Sequence, residues 1–261
     1  MDHDLIVVET GRVSARYTFG DSDLAARRLA AVANVFEATS RTLLASSIPG
    51  GAPIVVDLGC GPGHTTRLLA QVARPRRVLG LDRSARFVEL ARELTDEPGV
   101  VFAVHDATAT PLPEAPVDAL YARLLLAHLG EPLALVERWM TQLRPGGVLV
   151  LDEVETIEAP RGVLRDYESV VASLVAAEGG SMYAGPLLAE LGGRCVDVHV
   201  DTAVAARMYA MNLATWEDDV RARGLAGSAE LDRIGEGLAA LRSRPGAGSV
   251  RWVLRQVVLT A

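Results

Sequence analysis

The 261-residue chain contains no lysine: all 26 of its cationic side chains are arginine. That removes an amine nucleophile or Schiff-base lysine from the available chemistry. It also removes the Gly-Lys-Ser/Thr loop that holds phosphates in P-loop proteins. Cysteine is nearly absent. Cys60 and Cys195 stand far apart with neither CxxC spacing nor Cys/His neighbours, which argues against a zinc centre and fits free thiols in a reducing cytoplasm. Aromatic residues make up 5%, too few for an extensive stacking platform. No apolar run is long enough for a transmembrane helix, and Met1-Asp2-His3-Asp4 lacks the basic start of a leader; a soluble cytoplasmic protein with no membrane partner is expected. A formal net charge of −7 gives no overall basic field, so nucleic acid is not an expected partner.

What is present suits one large α/β domain with an elaboration. Short apolar runs alternate with amphipathic stretches, the pattern of successive βαβ units, and no repeat or low-complexity tract interrupts them. Asp21-Ser22-Asp23 caps a helix predicted over 23–47, which Ile48-Pro49-Gly50-Gly51 ends. Strands are predicted at IVVDLG after Pro53, at 77–82, 100–106, 116–123 and 148–155, with a helix over 64–73 and another from Ser84 carrying Phe87, Leu90, Ala91 and Leu94. Beyond 160 the pattern predicts helices near 163–178 and 184–191, a strand near 195–204, helices near 214–225 and 229–243, and a closing strand at 250–260.

The strongest signal is VVDLGCGPGHTT at 55–66, where a strand delivers Gly59, Gly61 and Gly63 into the start of a helix. Glycine lets the backbone turn sharply and approach a ligand, and the helix N-terminus offers free amide donors. The spacing is GxGxG with His64 where a dinucleotide fingerprint needs its third glycine, so NAD is disfavoured. Asp82 ends the second strand, where a carboxylate can accept from both hydroxyls of a ribose. Asp106 ends the third, where it can accept from an adenine amino group.

With VVDLGCGPG, LGLDRS, HDATATPLP, VDALYARLLLAHL and LRPGGVLVLDE in order over about 53–155, the chain resembles the class I S-adenosylmethionine-dependent methyltransferases, in particular the small-molecule branch with the generic methyltransferase domain. The resemblance implies a Rossmann-like α/β fold with a seven-stranded sheet in the order 3-2-1-4-5-7-6, strand 7 antiparallel, with helices on both faces. It implies S-adenosyl-L-methionine as cofactor and S-adenosyl-L-homocysteine as product. Carried over by residue, it places Asp57, Gly59, Cys60 and Gly61 around the methionine part, Asp82 and Arg83 at the ribose, Asp106 and Ala107 at the adenine edge, and Arg123 between cofactor and acceptor. Tyr17 resembles an N-terminal tyrosine that closes over the methionine carboxylate; a plain core or surface tyrosine reads the same.

Candidate catalytic residues are Glu153, which alternation along the fifth strand directs to the same face as Glu155, and His128, which also reads as a structural helix-end histidine. No metal site is expected, because no clustered ligand set is visible. About 40 residues separate the last two strand candidates, and a connection of this length is usually functional. A helical cap over an acceptor pocket is therefore expected, built from the N-terminal segment 1–50 and insertions at about 160–192 and 206–247 in a methyltransferase domain spanning 51–261. Tyr183, Met211 and Trp216 are its candidate substrate contacts, with packing between cap and core as the competing role. The expected reaction is methyl transfer to an O, N or C nucleophile of a small metabolite of secondary metabolism, by a monomer or homodimer. The alternative is a cyclase or pericyclase that keeps the cofactor intact.

Overall fold

The computed structural model describes residues 19–261. Valine- and leucine-rich runs, apolar on both faces, form the parallel centre of a sheet: β1 (Ile54–Leu58), β2 (Arg77–Asp82), β3 (Val100–Val104), β4 (Val117–Arg123) and β5 (Leu143–Glu158). The late strands β6 (Arg194–Asp201) and β7 (Ser249–Thr260) complete the order β3-β2-β1-β4-β5-β7-β6, with β7 antiparallel to both of its neighbours. This is the sheet that the sequence resemblance implied.

Helices cover both faces. Leu43 and Leu44 of α1 (Asp23–Ser47) and Leu68 and Leu69 of α2 (His64–Ala73) bury against Val55, Tyr121 and Val150 on one side. On the other, α4 (Pro132–Met140) buries Trp139 against Leu120 and Leu149, and the Trp139 indole N–H donates to the Ala107 carbonyl at 2.8 Å. Helix α3 (Ala85–Glu93) begins at Ser84, whose hydroxyl accepts from the Phe87 amide. At the far end of β5 and β7 a third apolar cluster gathers α5 (Val163–Ala177), α6 (Thr202–Ala222) and α7 (Ser228–Arg242) with Val32 and Phe36 of α1. None of the described helices is long and apolar enough to cross a membrane.

The late elements differ from their sequence expectation for local reasons. Strand β6 stops at Asp201, whose carboxylate accepts from the Ala203 amide at 2.8 Å and starts α6. The alanine-rich stretch that follows has strong helix propensity, so residues 202–213 are helical, where the sequence pattern put the end of a strand and a connection. The segment Gly185–Leu191 is a 3₁₀ turn with Pro186 near its start. Strand β5 extends in both directions beyond 148–155.

Two glycines on α7 make a paired test of its packing. An added Cβ at Gly235 meets only Leu213 Cδ2 at 3.7 Å, whereas at Gly237 it meets Val163 Cγ2 at 2.7 Å, where α7 crosses the start of α5. Gly235→Ala is expected to stabilise the protein by about 0.5–1 kcal/mol through reduced unfolded-state entropy. Gly237→Ala is expected to cost about 1–3 kcal/mol by overpacking. Denaturant titration of both variants checks the opposite signs.

Candidate functional site

The turn after β1 carries Gly59, Gly61 and Gly63 at φ +68°, +51° and +80°, a region where side chains strain the backbone. A Cβ on Gly59 would stand 2.7 Å from Leu125 Cδ1, so the loop after β4 closes directly over this turn. The Gly61 amide donates to Asp82 Oδ2 at 2.8 Å, and the Ser84 amide donates to Oδ1 at 2.8 Å. One carboxylate thereby ties the glycine turn to the loop after β2. Burial raises its pKa above the usual carboxylate value despite these two amides.

Gly59, Gly61, Asp82 and Leu125 line one continuous cavity at the carboxyl ends of the strands, with a volume of about 220 Å³. The structure brings to its wall Gly59, Cys60, Gly61, Asp82, Arg83, Asp106, Ala107, Arg123, His128 and Glu153, all expected from the sequence. Asp57 is different. It is buried under α2, and its Oδ2 accepts from the hydroxyls of Thr65 and Thr66 at 2.6 Å each, so it braces the first helical turn without reaching the cavity wall. Burial raises its pKa to about 6, against the pull of those hydroxyls and Arg123. The Cys60 thiol is pushed well up by burial and stays neutral. Asp106 is exposed, with Oδ1 accepting from the Thr108 amide and hydroxyl at 2.8 Å.

Arg123 sits where β4 ends. Its guanidinium donates to Ser40 Oγ at 3.2 Å, and Ser40 donates to Asp152 Oδ2 at 2.9 Å. Gln256 Nε2 donates to Asp152 Oδ1 at 3.3 Å. Ser40, Asp152 and Gln256 escaped sequence reasoning, since nothing in α1, β5 or β7 alone marks them as partners.

Glu153 is fully buried, and its Oε1 accepts from the Leu125 and Leu126 amides at 2.8 and 2.9 Å. Its Oε2 is buried with no hydrogen-bond partner among the described residues. Burial pushes its pKa up to about 8. Glu155 does not share that environment: a register shift between Val154 and Thr156 precedes a bidentate pairing with Arg255 at 2.6 and 2.9 Å. His128 stands edge-on to Phe19 at 5.1 Å, and burial with nearby Arg28 and Arg83 lowers its pKa to about 3, so the imidazole is neutral. His64, beside Arg67, is lowered to about 4 mainly by burial.

Helices α5 and α6 form the wall facing the glycine turn. The phenol of Tyr167 stacks on that of Tyr209, with ring centroids 4.2 Å apart and planes 13° from parallel. Asn212 Nδ2 donates to Tyr167 Oη at 2.7 Å. The Tyr209 hydroxyl donates to Glu168 Oε1 at 3.1 Å, and burial raises Glu168 to about 7. The sequence expectation for this wall needs correction. Helix α6 turns Met208, Tyr209 and Asn212 to the cavity, while Met211 and Trp216 are not part of its lining; Trp216 packs 5.8 Å from Tyr167 within the core. Tyr183 is likewise outside the lining, which takes its neighbour Met182. Tyr17 lies outside the described residues.

The sheet order and the glycine turn fastened to Asp82 define a class I methyltransferase architecture. Residues 56–151 match the family described as a methyltransferase domain, which supports a class I S-adenosylmethionine-dependent methyltransferase. It is 36% identical over 145 residues to a trans-aconitate 2-methyltransferase of Methylobacterium radiotolerans, covering 55% of each chain. It is 37% identical over 121 residues to one of Azoarcus sp., covering 46% of this chain and 47% of the relative. The chain therefore spans about half the length of the curated relatives it matches. Among solved structures, YcgJ of Bacillus subtilis shares the fold at 14% identity, with a TM-score of 0.54 over 84% of this chain and 96% of its own.

The buried acid predicts how stability depends on pH. Glu153 holds its proton in the folded chain up to about 8, whereas an ordinary glutamate near 4.5 has released it. Between those values the folded state binds more protons, so stability falls as pH rises. Asp57 is half-way through the same change at about pH 6, and Glu168 at about pH 7. His64 and His128, lowered from 6.5, act in the opposite sense only below that value. From pH 6.5 to 8 the melting temperature is expected to fall, with a stability slope of up to about 1.4 kcal/mol per pH unit. Glu153→Gln should flatten most of it; a flat or rising profile in the unsubstituted protein contradicts the assignment.

Proposed function

We propose that this protein transfers a methyl group from S-adenosylmethionine to an O, N or C nucleophile on a small molecule of secondary metabolism. The observation that carries the reading is the single cavity that joins the Asp82-braced glycine turn to a chamber walled by α1, α5, α6 and β7. The cofactor fits the residues present: Gly59 and Gly61 bring bare backbone to the cavity wall, and carboxylates line it at the ends of β2 and β3.

In this reading Asp82 accepts from the ribose hydroxyls with the lone pairs that the Gly61 and Ser84 amides leave open. Asp106 and Ala107 border the adenine, and Arg123 contributes the cation for the methionine carboxylate. Bound S-adenosylmethionine supplies an activated sulfonium methyl. The chain then has to align the acceptor and exclude water, which the apolar chamber does, and hold the proton that the nucleophile releases. Glu153 is suited to the last task, with Oε1 fixed by two loop amides and Oε2 left without a partner. The substrate of the named relatives does not transfer, because the matches cover only about half of each relative.

Asp82→Ala is expected to weaken S-adenosylhomocysteine binding by about 1.5–3 kcal/mol in calorimetry, with circular dichroism unchanged. Equal affinity would remove Asp82 from the site. Incubation with labelled cofactor and an acceptor library should give a product heavier by one methylene together with S-adenosylhomocysteine; a transformed acceptor of unchanged mass identifies a cyclase or pericyclase instead. With an acceptor in hand, kcat should rise with pH to a plateau above about 8, and Glu153→Gln should lower kcat by about 10²–10⁴-fold while leaving cofactor affinity nearly intact. An unchanged pH profile in that variant would leave Glu153 with its loop-bracing role alone.

A further inference from the structure

Glu153 Oε2, Asn212 Oδ1 and Trp252 Nε1 are buried polar atoms on cavity-lining residues with no hydrogen-bond partner among the described residues. Folded proteins seldom bury a donor or acceptor unsatisfied, because each one forfeits the hydrogen bonds it had with water. The first atom is occupied by the proton-accepting role above. The other two stand on α6 and β7, outside the segment that matches the methyltransferase domain, and cofactor binding gives them nothing to do.

They are chemically complementary to each other and both neutral: an amide oxygen that accepts and an indole N–H that donates. Both are held by packing. Asn212 is 5% exposed and its Nδ2 is committed to Tyr167, itself stacked on Tyr209; the Trp252 ring lies 5.3 Å from that of Phe36. The wall around them is apolar, with Val154, Ile157, Val171, Val175 and Met208 among its members. The cations of the described lining, Arg28, Arg83 and Arg123, belong to α1 and to the ends of β2 and β4; α5, α6 and β7 bring none. Of these cations only Arg28 of α1 acts on this wall, through Tyr167, so the carboxylates of a tricarboxylate beyond its reach would be buried without a partner, at a cost well above that of a neutral group.

We propose that Asn212 and Trp252 form the recognition subsite for an uncharged, largely apolar acceptor, which offers a hydroxyl or N–H to Asn212 Oδ1 and an oxygen or nitrogen lone pair to Trp252 Nε1. This rests on the methyltransferase reading, from which it differs in naming the acceptor class. It also separates this chamber from one built for a tricarboxylate such as trans-aconitate.

Calorimetry on the unsubstituted protein saturated with S-adenosylhomocysteine tests it with three probes: 2-naphthol, 2-methoxynaphthalene, which lacks the donor, and trans-aconitate. 2-Naphthol is expected to bind at least about tenfold more tightly than either of the others. Asn212→Leu should reduce the naphthol-to-methoxynaphthalene ratio to about twofold or less with cofactor affinity retained, and Trp252→Phe, which keeps the ring and removes the N–H, should weaken naphthol binding by about threefold or more. The proposal is overturned if trans-aconitate binds as tightly as 2-naphthol, if 2-naphthol does not saturate, or if the folded variants keep the full preference. Should Asn212→Leu fail to fold, the probe ranking in the unsubstituted protein and the Trp252→Phe result still decide. Failure to bind S-adenosylhomocysteine would overturn both readings, whereas binding it with the wrong probe ranking overturns only this one.

Discussion

Burying carboxylates on two strands that flank β4 is the constraint around which this site is arranged. Asp57 on β1 and Asp152 and Glu153 on β5 are each 1% exposed or less, and the Arg123 guanidinium on intervening β4 attracts both aspartates. A buried ionisable group that lacks partners is costly, so each acid recruits donors from a neighbouring element. Asp57 takes the hydroxyls that begin α2, Asp152 takes Ser40 of α1 and Gln256 of β7, and Glu153 takes the amides of the loop after β4. Satisfying the three acids thus places the helix beneath the glycine turn, the long N-terminal helix and the loop that closes over Gly59.

The cavity has two parts of different origin. Its cofactor side comes from tight turns at the carboxyl ends of β1, β2 and β3, where backbone geometry limits the choice of residue. Its other side, which the proposed function gives to the acceptor, comes from α1, α5, α6 and β7, where mostly apolar side chains line the wall. Family resemblance concentrates in the first part because the same turn must recur wherever the same cofactor is held. The second part is free to follow the acceptor.

This division also governs what could be read from the chain. Gly59, Gly61, Asp82 and Asp106 were legible because each acts within a strand and the turn that follows it. The pairing of Ser40 with Asp152 spans 112 residues and that of Asp152 with Gln256 spans 104, and no local pattern encodes such distances. Helix α6 shows a second limit. It is buried on more than one side, with Met208, Tyr209 and Asn212 toward the cavity and Leu213 and Trp216 in the core, so a run of apolar residues reveals that it is covered without revealing which stripe meets a ligand. Its start was missed because a capping aspartate outweighed the apolar run continuing from β6.

Two of the chamber's helices, α5 and α6, lie in the chain between two strands that pair with each other. Residue Val148 of β5 meets Thr260 of β7, and Glu158 meets Arg251, so α5, β6, α6 and α7 form one closed excursion. Such a loop is joined only after its far end has been synthesised and has found an edge already formed, a search whose entropy cost grows with the logarithm of loop length. Order of assembly is therefore written into the topology: the nucleoside side can form from local βαβ units, and the acceptor side comes into being when the last strand docks.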